Sequence, residues 1–194
     1  RYTYLLGEGE KCRTAAEQFE ELATKAGQVT LKDLLDAFSV EKVSKAFFRE
    51  YKEHYQDFVQ HLTGKRMVKK AGKWEEKVMH APSPKLAAYF NGNEKDARDF
   101  CKKLMGRLVF LYFLQKKRWL GATTAAYADG EPDFVYRLFG AQGNDAFYPN
   151  VLVPLFFETL NAERTDDDYR MPDGTLRKVP FLNGGLFDMD VLDR

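Results

Sequence analysis

The stretch EKDARDFCKKLMGRLVFLYFLQKKRWL, residues 94–120, carries the longest continuous helical pattern in the chain. In its first half, apolar residues recur at steps of three and four, which places them on one face of an α-helix. Its second half is apolar on every side, so we expect it to be buried on most of its surface. Gly121 follows directly and predicts where the helix stops. The sequence therefore predicts a mainly α fold, an irregular helical bundle around this one long helix.

Shorter helical patterns flank the long one on both sides. Apolar residues at helical spacing predict further helices at 14–26, 31–38, 40–62, 132–139 and 150–161. Long loops are expected at 64–93 and at 163–178, because glycine, proline and charged residues are dense there. The first loop has room for a small hairpin around Gly72, and Pro172-Asp173-Gly174 predicts a turn in the second.

Composition and charge exclude several classes of protein. The chain has 194 residues and a net charge of +1, so any contact with nucleic acid has to come from a local basic patch. The longest apolar run, residues 108–114, is far shorter than the ~20 residues of a membrane span. Cys12 and Cys101 provide neither a disulfide framework nor metal-ligand spacing, and Cys101 is expected to be a buried thiol. We therefore predict a cytoplasmic protein without a membrane partner.

A search for catalytic patterns identifies no catalytic, cofactor-binding or metal-binding residues. The histidines His54, His61 and His80 form no Cys/His cluster, and there is no glycine-rich phosphate loop after a strand. The carboxylates at 166–168 lack the spacing of a calcium loop, so a solvated acidic loop is favoured over a divalent-ion site.

The basic stretch at 65–77 is the local feature that best fits a binding role. Six cationic side chains against two acidic ones give it a net charge of +4, and a tryptophan lies among them. A flexible cationic loop with an aromatic residue is suited to the phosphate backbone of DNA. The candidate DNA-binding residues are Lys65, Arg66, Lys69, Lys70, Lys73 and Trp74. The alternative is an ordinary solvated surface loop.

Four stretches together resemble a known family. VPFLNGGLF (179–187) is similar to a signature of single-chain Type IIG restriction–modification enzymes and of related phage-defence N6-adenine DNA methyltransferases. Three other stretches resemble the same family in the same order: FSVEKVSKAFFREYKEHYQDF (38–58), CKKLMGRLVFLYFLQKKRWLG (101–121) and FYPNVLVPLFFETLN (147–161).

The resemblance implies a helical connector between a nuclease domain and a methyltransferase domain that uses S-adenosylmethionine. The Asn-Pro-Pro-Tyr type of loop that such a methyltransferase needs is absent from these residues. We therefore expect a fragment: residues 1–27 as an N-terminal helix or the tail of a preceding domain, and 28–194 as the connector. S-adenosylmethionine, Mg²⁺ for any nuclease, and DNA as partner would then belong to the parent protein, for which the resemblance implies adenine methylation, with or without an endonuclease. The alternative is a non-enzymatic helical module that binds another protein.

The signature turn comprises Leu182, Asn183, Gly184, Gly185, Leu186 and Phe187. We expect positive φ angles at Asn183-Gly184-Gly185, which would let the backbone reverse there. The apolar residues on either side would pin this reversal against the bundle. An exit turn towards the next domain is favoured over a direct contact with DNA.

Overall fold

The computed structural model describes residues 12–25, 27–143, 146–182 and 184–193. The fold is mainly helical, with two small antiparallel hairpins, which confirms the predicted fold class. The chain divides into two compact units, residues 1–58 and 59–194. The division predicted from the family resemblance, at residues 27 and 28, stays a prediction.

Three helices lie in the described part of the first unit, and the third continues into the second unit. They are α1 (Arg13–Thr24), α2 (Leu31–Ala37) and α3 (Val40–Thr63), close to the predicted bounds. Thr30 begins α2 with a capping box: its hydroxyl accepts from the N–H of Asp33, and the Asp33 carboxylate accepts from the N–H of Thr30. Two orphan donors are thereby satisfied at the start of a helix of only seven residues.

The region predicted as a long loop at 64–93 is more ordered than expected. It contains the predicted hairpin, formed by β1 (Lys65–Lys70) and β2 (Lys73–Val78), and a short helix, α4 (Pro84–Phe90), which the sequence analysis missed. Ser83 accepts from the N–H of Lys85 at the start of α4, with proline in the first turn. The segment is therefore a hairpin and a short helix joined by loops, because a tight turn and a capped helix organise it.

The long helix is α5 (Glu94–Lys116), and it ends earlier than Gly121 predicted. Arg118 adopts a left-handed conformation with φ of 63°, and the N–H of Trp119 bonds the carbonyl of Leu114 at 3.0 Å. This is the hydrogen bond of a Schellman motif, with arginine at the position that glycine usually takes. The motif terminates the helix before Gly121 is reached.

Only one side of the second half of α5 is buried. Leu111 and Leu114 are fully buried, whereas Tyr112 is 53% exposed and Phe113 is 47% exposed. The expectation of burial on most sides was wrong, because the elements packed against α5 cover one face of it. The core lies on that face and includes Leu104, Leu111, Leu114, Phe134, Leu138, Leu155, Phe156 and Phe187.

The C-terminal half completes this core. Helix α6 (Phe134–Gln142) is followed by two π-helical segments, Tyr148–Leu152 and Pro154–Leu160, where an ordinary helix was predicted. Pro154 has no N–H for the preceding turn and its ring crowds a carbonyl there, which favours the wider winding.

The acidic region predicted as a loop at 163–178 contains a second hairpin, β3 (Asp168–Arg170) and β4 (Leu176–Lys178). The predicted turn lies between its strands. Two 3₁₀ turns, Gly185–Phe187 and Val191–Asp193, complete the described chain.

Candidate nucleic-acid interface

The basic stretch forms the β1–β2 hairpin, whose two faces differ in composition. The strands pair in register from Lys65 opposite Val78 to Lys70 opposite Lys73. Directly opposed residues lie on the same face of a sheet, and neighbours along a strand alternate between faces. The first face carries Lys65, Met67, Lys69, Trp74, Glu76 and Val78, and the second carries Arg66, Val68, Lys70, Lys73, Glu75 and Lys77.

Ion pairs attach the base of the hairpin to the start of α5. Lys65 Nζ lies 2.7 Å from Glu94 Oε1, and Arg98 Nη2 lies 2.6 Å from Glu76 Oε1. The hydrogen bond from Lys65 lowers the pKa of the Glu94 carboxyl. Lys65 was predicted to contact DNA, but this geometry gives its ammonium group an internal carboxylate partner.

The cations at the tip of the hairpin are exposed. Every residue from 69 to 78 is exposed to solvent. Lys69, Lys70, Lys73 and Lys77 form no ion pair with the part of the chain that the structure describes. The tip therefore presents positive charge to solvent without internal neutralisation.

The other two predicted contact residues have different surroundings. Arg66 Nη1 donates to Gln60 Oε1 at 3.2 Å, which holds it near the end of α3. Trp74 lies opposite Lys69 in the register and is 51% exposed. The predicted set is therefore divided between the base and the tip, and between the two faces.

The signature turn has a different backbone from the one predicted. Gly184 is extended, with φ of −149° and ψ of 131°, and Gly185 begins a 3₁₀ turn. Positive φ was therefore the wrong expectation for these glycines, while Asn183 lies outside the described residues. The chain runs into the 3₁₀ turn from an extended residue, so neither glycine needs the left-handed region.

The apolar residues of this turn pack against the bundle, as expected, although not equally. The N–H of Leu182 bonds the carbonyl of Leu160 at 2.7 Å. The Phe187 ring is 1% exposed and lies 5.8 Å from the Phe110 ring and 5.4 Å from the Phe156 ring, between centroids. Leu186 remains 41% exposed. Phe187 is therefore the main apolar anchor of the turn.

Arg107 holds the same turn from the long helix. Its Nε donates to the carbonyl of Leu186 and one Nη2 bond goes to the carbonyl of Asp188, both at 2.9 Å. The guanidinium also binds the Asp193 carboxylate through two bonds, 2.6 Å and 3.0 Å. The Arg107 and Asp193 side chains are 1% and 0% exposed. One buried cation therefore fixes the segment at 184–193 to α5. We call these contacts of Arg107 with Leu186, Asp188 and Asp193 the Arg107 clamp.

Two further interactions support the Arg107 clamp. The Arg107 guanidinium carbon lies 4.9 Å from the centroid of the Phe157 ring, within cation–π range. Lys103, one turn earlier on α5, forms an ion pair with Asp190. Sequence analysis missed Arg107, although an arginine inside the apolar half of a helix is a signal that a buried charge needs a partner.

In the acidic run at 166–168, Asp166 and Asp168 are exposed and Asp167 is half-buried. The Asp168 carboxylate lies 2.6 Å from Lys178 Nζ, and Asp167 accepts a hydrogen bond from the Tyr127 hydroxyl. Burial, followed by this hydrogen bond, raises the pKa of Tyr127. Within the described ranges, no group of three or more His, Cys, Asp or Glu side chains is arranged to hold a metal ion. Two of these carboxylates therefore have side-chain partners within the fold.

Cys101 is buried in α5, as predicted, and 1% of it is exposed. Burial raises the pKa of its thiol to about 11. A thiol with so little thiolate at neutral pH is a poor nucleophile. Among the residues that the structure describes, no helix combines the length and hydrophobicity that a membrane crossing requires.

Comparison with known proteins identifies a distant relative. A protein of Methanocaldococcus jannaschii, named as a type II restriction enzyme and methyltransferase, is 27% identical to this chain over 152 residues. The alignment covers 76% of the chain but only 12% of the relative's length. No family model and no solved structure matches the chain. The chain is therefore distantly related to a region of a restriction–modification protein.

Proposed function

We propose that this chain is the helical connector of a restriction–modification polypeptide and that its β1–β2 hairpin contacts the phosphate backbone of DNA. In this proposal, the connector joins a nuclease domain to an adenine methyltransferase domain. The similarity to the Methanocaldococcus jannaschii protein supports this assignment, since that protein is named for both activities. S-adenosylmethionine and any catalytic Mg²⁺ would bind to those other domains.

The observation that carries the DNA contact is the uncompensated charge at the hairpin tip. Lys69, Lys70 and Lys73 are exposed and have no ion-pair partner in the described chain. Lysines of this kind bind DNA by displacing condensed counterions from the phosphates. Lys65 contributes to this contact indirectly, because its ion pair with Glu94 positions the hairpin.

The connector role has a mechanical basis in the Arg107 clamp. The signature segment is bound to α5 by a buried guanidinium that contacts two carbonyls and one carboxylate. A segment held in this way has one preferred position on the bundle. It is thus suited to set the direction in which the chain proceeds towards a following domain.

The sequence of the whole polypeptide tests the connector assignment. We expect an Asn-Pro-Pro-Tyr type of loop and a glycine-rich turn downstream in the same reading frame. A Pro-Asp followed by Glu-x-Lys upstream would add the nuclease. A reading frame that encodes only these residues would contradict the connector role.

A salt titration with duplex DNA tests the backbone contact. Each phosphate contact contributes roughly 0.9 to the slope of log affinity against log salt concentration. We expect Lys69→Glu with Lys70→Glu to lower the steepness of that slope by about two units. The control carries the same change of charge at two other exposed lysines, Lys32→Glu with Lys102→Glu, and should retain the original slope. Equal slopes for both variants would remove the hairpin from the DNA contact.

The second candidate function is that of a module that binds another protein, and exposed aromatic side chains favour it. Tyr112, Phe113 and Tyr136 are 53%, 47% and 72% exposed. Sedimentation of the isolated chain distinguishes the two functions. A free-standing module should remain monodisperse, whereas a connector separated from its neighbouring domains should self-associate through its uncovered apolar surface.

A further inference from the structure

We propose that the tip of the β1–β2 hairpin enters the major groove of duplex DNA end-on, with lysines of its two faces contacting the two phosphate strands that border the groove. This inference rests on the proposed function, because it specifies how the same hairpin meets DNA. It specifies the major groove as the place of contact, end-on insertion as the orientation of the hairpin, and a weak preference for DNA sequence.

The distribution of charge over the two faces favours insertion. Lys69 lies on the first face of the tip, and Lys70 and Lys73 lie on the second. A hairpin that lay flat on DNA would bring the lysines of one face to the phosphates and direct those of the other face into solvent. Insertion into the groove brings both faces of the hairpin close to the phosphates on either side of that groove. The two-sided arrangement therefore fits a groove better than a surface.

The outermost pair of the second face is entirely cationic. Lys70 and Lys73 form this pair, next to the turn. Glu75, the single acidic residue of that face, lies opposite Val68, one pair further from the tip, and Lys77 lies opposite Arg66 beyond it. The positions that would enter the groove deepest are thus cationic.

The length of the projecting part matches the depth of the groove. The ion pair of Glu76 with Arg98 fixes the hairpin at the level of Met67, which is paired with Glu76. From Met67 to Lys70, three residues at roughly 3.4 Å each give about 10 Å of projecting strand. The major groove is about 8.5 Å deep and about 12 Å wide, and it admits a two-stranded ribbon. The minor groove, about 6 Å wide, is too narrow for one with lysines on both faces.

The turn at the tip has little capacity to recognise bases. Ala71 and Gly72 have φ angles of 48° and 84°, the positive pair of a type I′ turn. Neither side chain carries a hydrogen-bond donor or acceptor. The residues at the apex would therefore approach the floor of the groove without side-chain hydrogen bonds to base edges. The ammonium groups of Lys70 and Lys73 would then be the side-chain donors next to the apex, and contacts made mainly with phosphates give weak sequence preference.

A cycle of DNA modification and protein mutation tests the insertion. The full-length protein is titrated with two duplexes of the same sequence, one carrying cytosine and one carrying glucosylated 5-hydroxymethylcytosine. The glucose fills the major groove and leaves the phosphates in place. The tip variant is Lys69→Ala, Lys70→Ala and Lys73→Ala, and the control variant is Lys32→Ala, Lys95→Ala and Lys102→Ala. All six lysines are exposed, and circular dichroism verifies that both variants are folded.

The expected result is a coupling between the two changes. Glucosylation should weaken binding by the wild-type protein on the order of tenfold more than it weakens binding by the tip variant. The control variant should behave as the wild type does. Effects of glucosylation on other domains cancel, because they are the same for all three proteins.

Three results would overturn the inference, and they can be told apart. If the tip variant binds unmodified DNA more weakly but shows the full glucosylation effect, the hairpin contacts phosphates from outside the groove; the proposed function then stands and insertion fails. A coupling to netropsin, which occupies the minor groove, in place of glucose would locate the hairpin in the minor groove; the DNA contact then stands and insertion into the major groove fails. If the tip variant binds unmodified DNA as tightly as the wild type, the DNA contact itself fails.

Discussion

The β1–β2 hairpin and the segment at 184–193 use charge in different ways. The lysines at the tip of the hairpin are exposed to solvent, whereas the ion pair that attaches the segment to α5 is buried. Lys70 and Lys73 are exposed, but Arg107 and Asp193 have side chains that are 1% and 0% exposed. Both regions were singled out as candidate sites from sequence. The tip of the hairpin exposes its charge to solvent, and the second region uses a buried ion pair to attach residues 184–193 to α5.

This difference has an energetic reason. A buried ion pair loses hydration, and its members depend on each other because either one alone would be an uncompensated buried charge. An exposed lysine keeps its hydration and can exchange water and counterions for a phosphate at little cost. Arg107 is therefore expected to govern stability, and the tip lysines to govern binding.

Removing Arg107 should have the largest effect on stability. Arg107→Leu removes the two-bond partner of the buried Asp193 and leaves only Lys103 Nζ, 3.9 Å away, so we expect the free energy of unfolding to fall by about 3–5 kcal/mol. Urea denaturation measures this change. Lys70→Leu is the matched control and should change the free energy of unfolding by less than about 0.5 kcal/mol. Similar effects of the two substitutions would remove the distinction between the regions.

The alkylation rate of Cys101 should indicate whether the core around α5, which includes the Arg107 contacts, is intact. With a pKa of about 11, its thiol is almost entirely protonated at pH 8. We expect alkylation of Cys101 at pH 8 to be roughly two orders of magnitude slower in the folded protein than in urea, where the pKa of cysteine is about 8.5. Mass spectrometry of the labelled peptide measures the rate. Fast labelling of the folded wild-type protein would show that the buried face of α5 opens readily.

The turn of the hairpin should respond to substitution by a smaller amount. Ala71 has a positive φ, which is unfavourable for alanine, and Asn-Gly is preferred in this turn type. We expect Ala71→Asn to stabilise the hairpin by about 0.5–1 kcal/mol and Ala71→Val to destabilise it. Amide hydrogen exchange at β1 and β2 is the measurement. Equal exchange in the two variants would mean that the hairpin does not hold this turn in solution.

The base of the hairpin should loosen slightly in acid. Lys65 lowers the folded-state pKa of Glu94 from its usual value of 4.5, so the stabilisation is present above that value and is lost as the pH falls through the folded-state pKa. We expect amide protection in β1, corrected for intrinsic exchange, to decrease below pH 4.5. Glu94→Gln should abolish this dependence on pH. The same decrease in Glu94→Gln would assign it to another group.

Local patterns predicted the parts of the fold that depend on neighbouring residues. The hairpin around Gly72 and the turn at Pro172-Asp173-Gly174 were both predicted from residues within a few positions. Helix α4 had a signal of the same kind, Ser83 before Pro84, and was missed within a stretch interpreted as loop. The start of α5 was correct, but its end depends on Arg118 in a left-handed conformation that arginine rarely adopts.

The features that sequence reasoning missed depend on distant contacts. Arg107 and Asp193 are 86 residues apart, so no local pattern pairs them. The assignment of Lys65 to an ion pair with Glu94 also requires the fold. Among the candidate DNA-binding residues, the sequence predicted the basic stretch as a whole, and the strand register then determined which cations share a face.

The most direct test of the account is lysine footprinting of the full-length protein with and without duplex DNA. An amine-reactive acetylating reagent and mass spectrometry compare all lysines in one experiment. The account predicts that DNA protects Lys69, Lys70 and Lys73, while the exposed Lys32 and Lys102 react at unchanged rates. Unchanged reactivity at the hairpin tip under conditions where DNA is bound would contradict it.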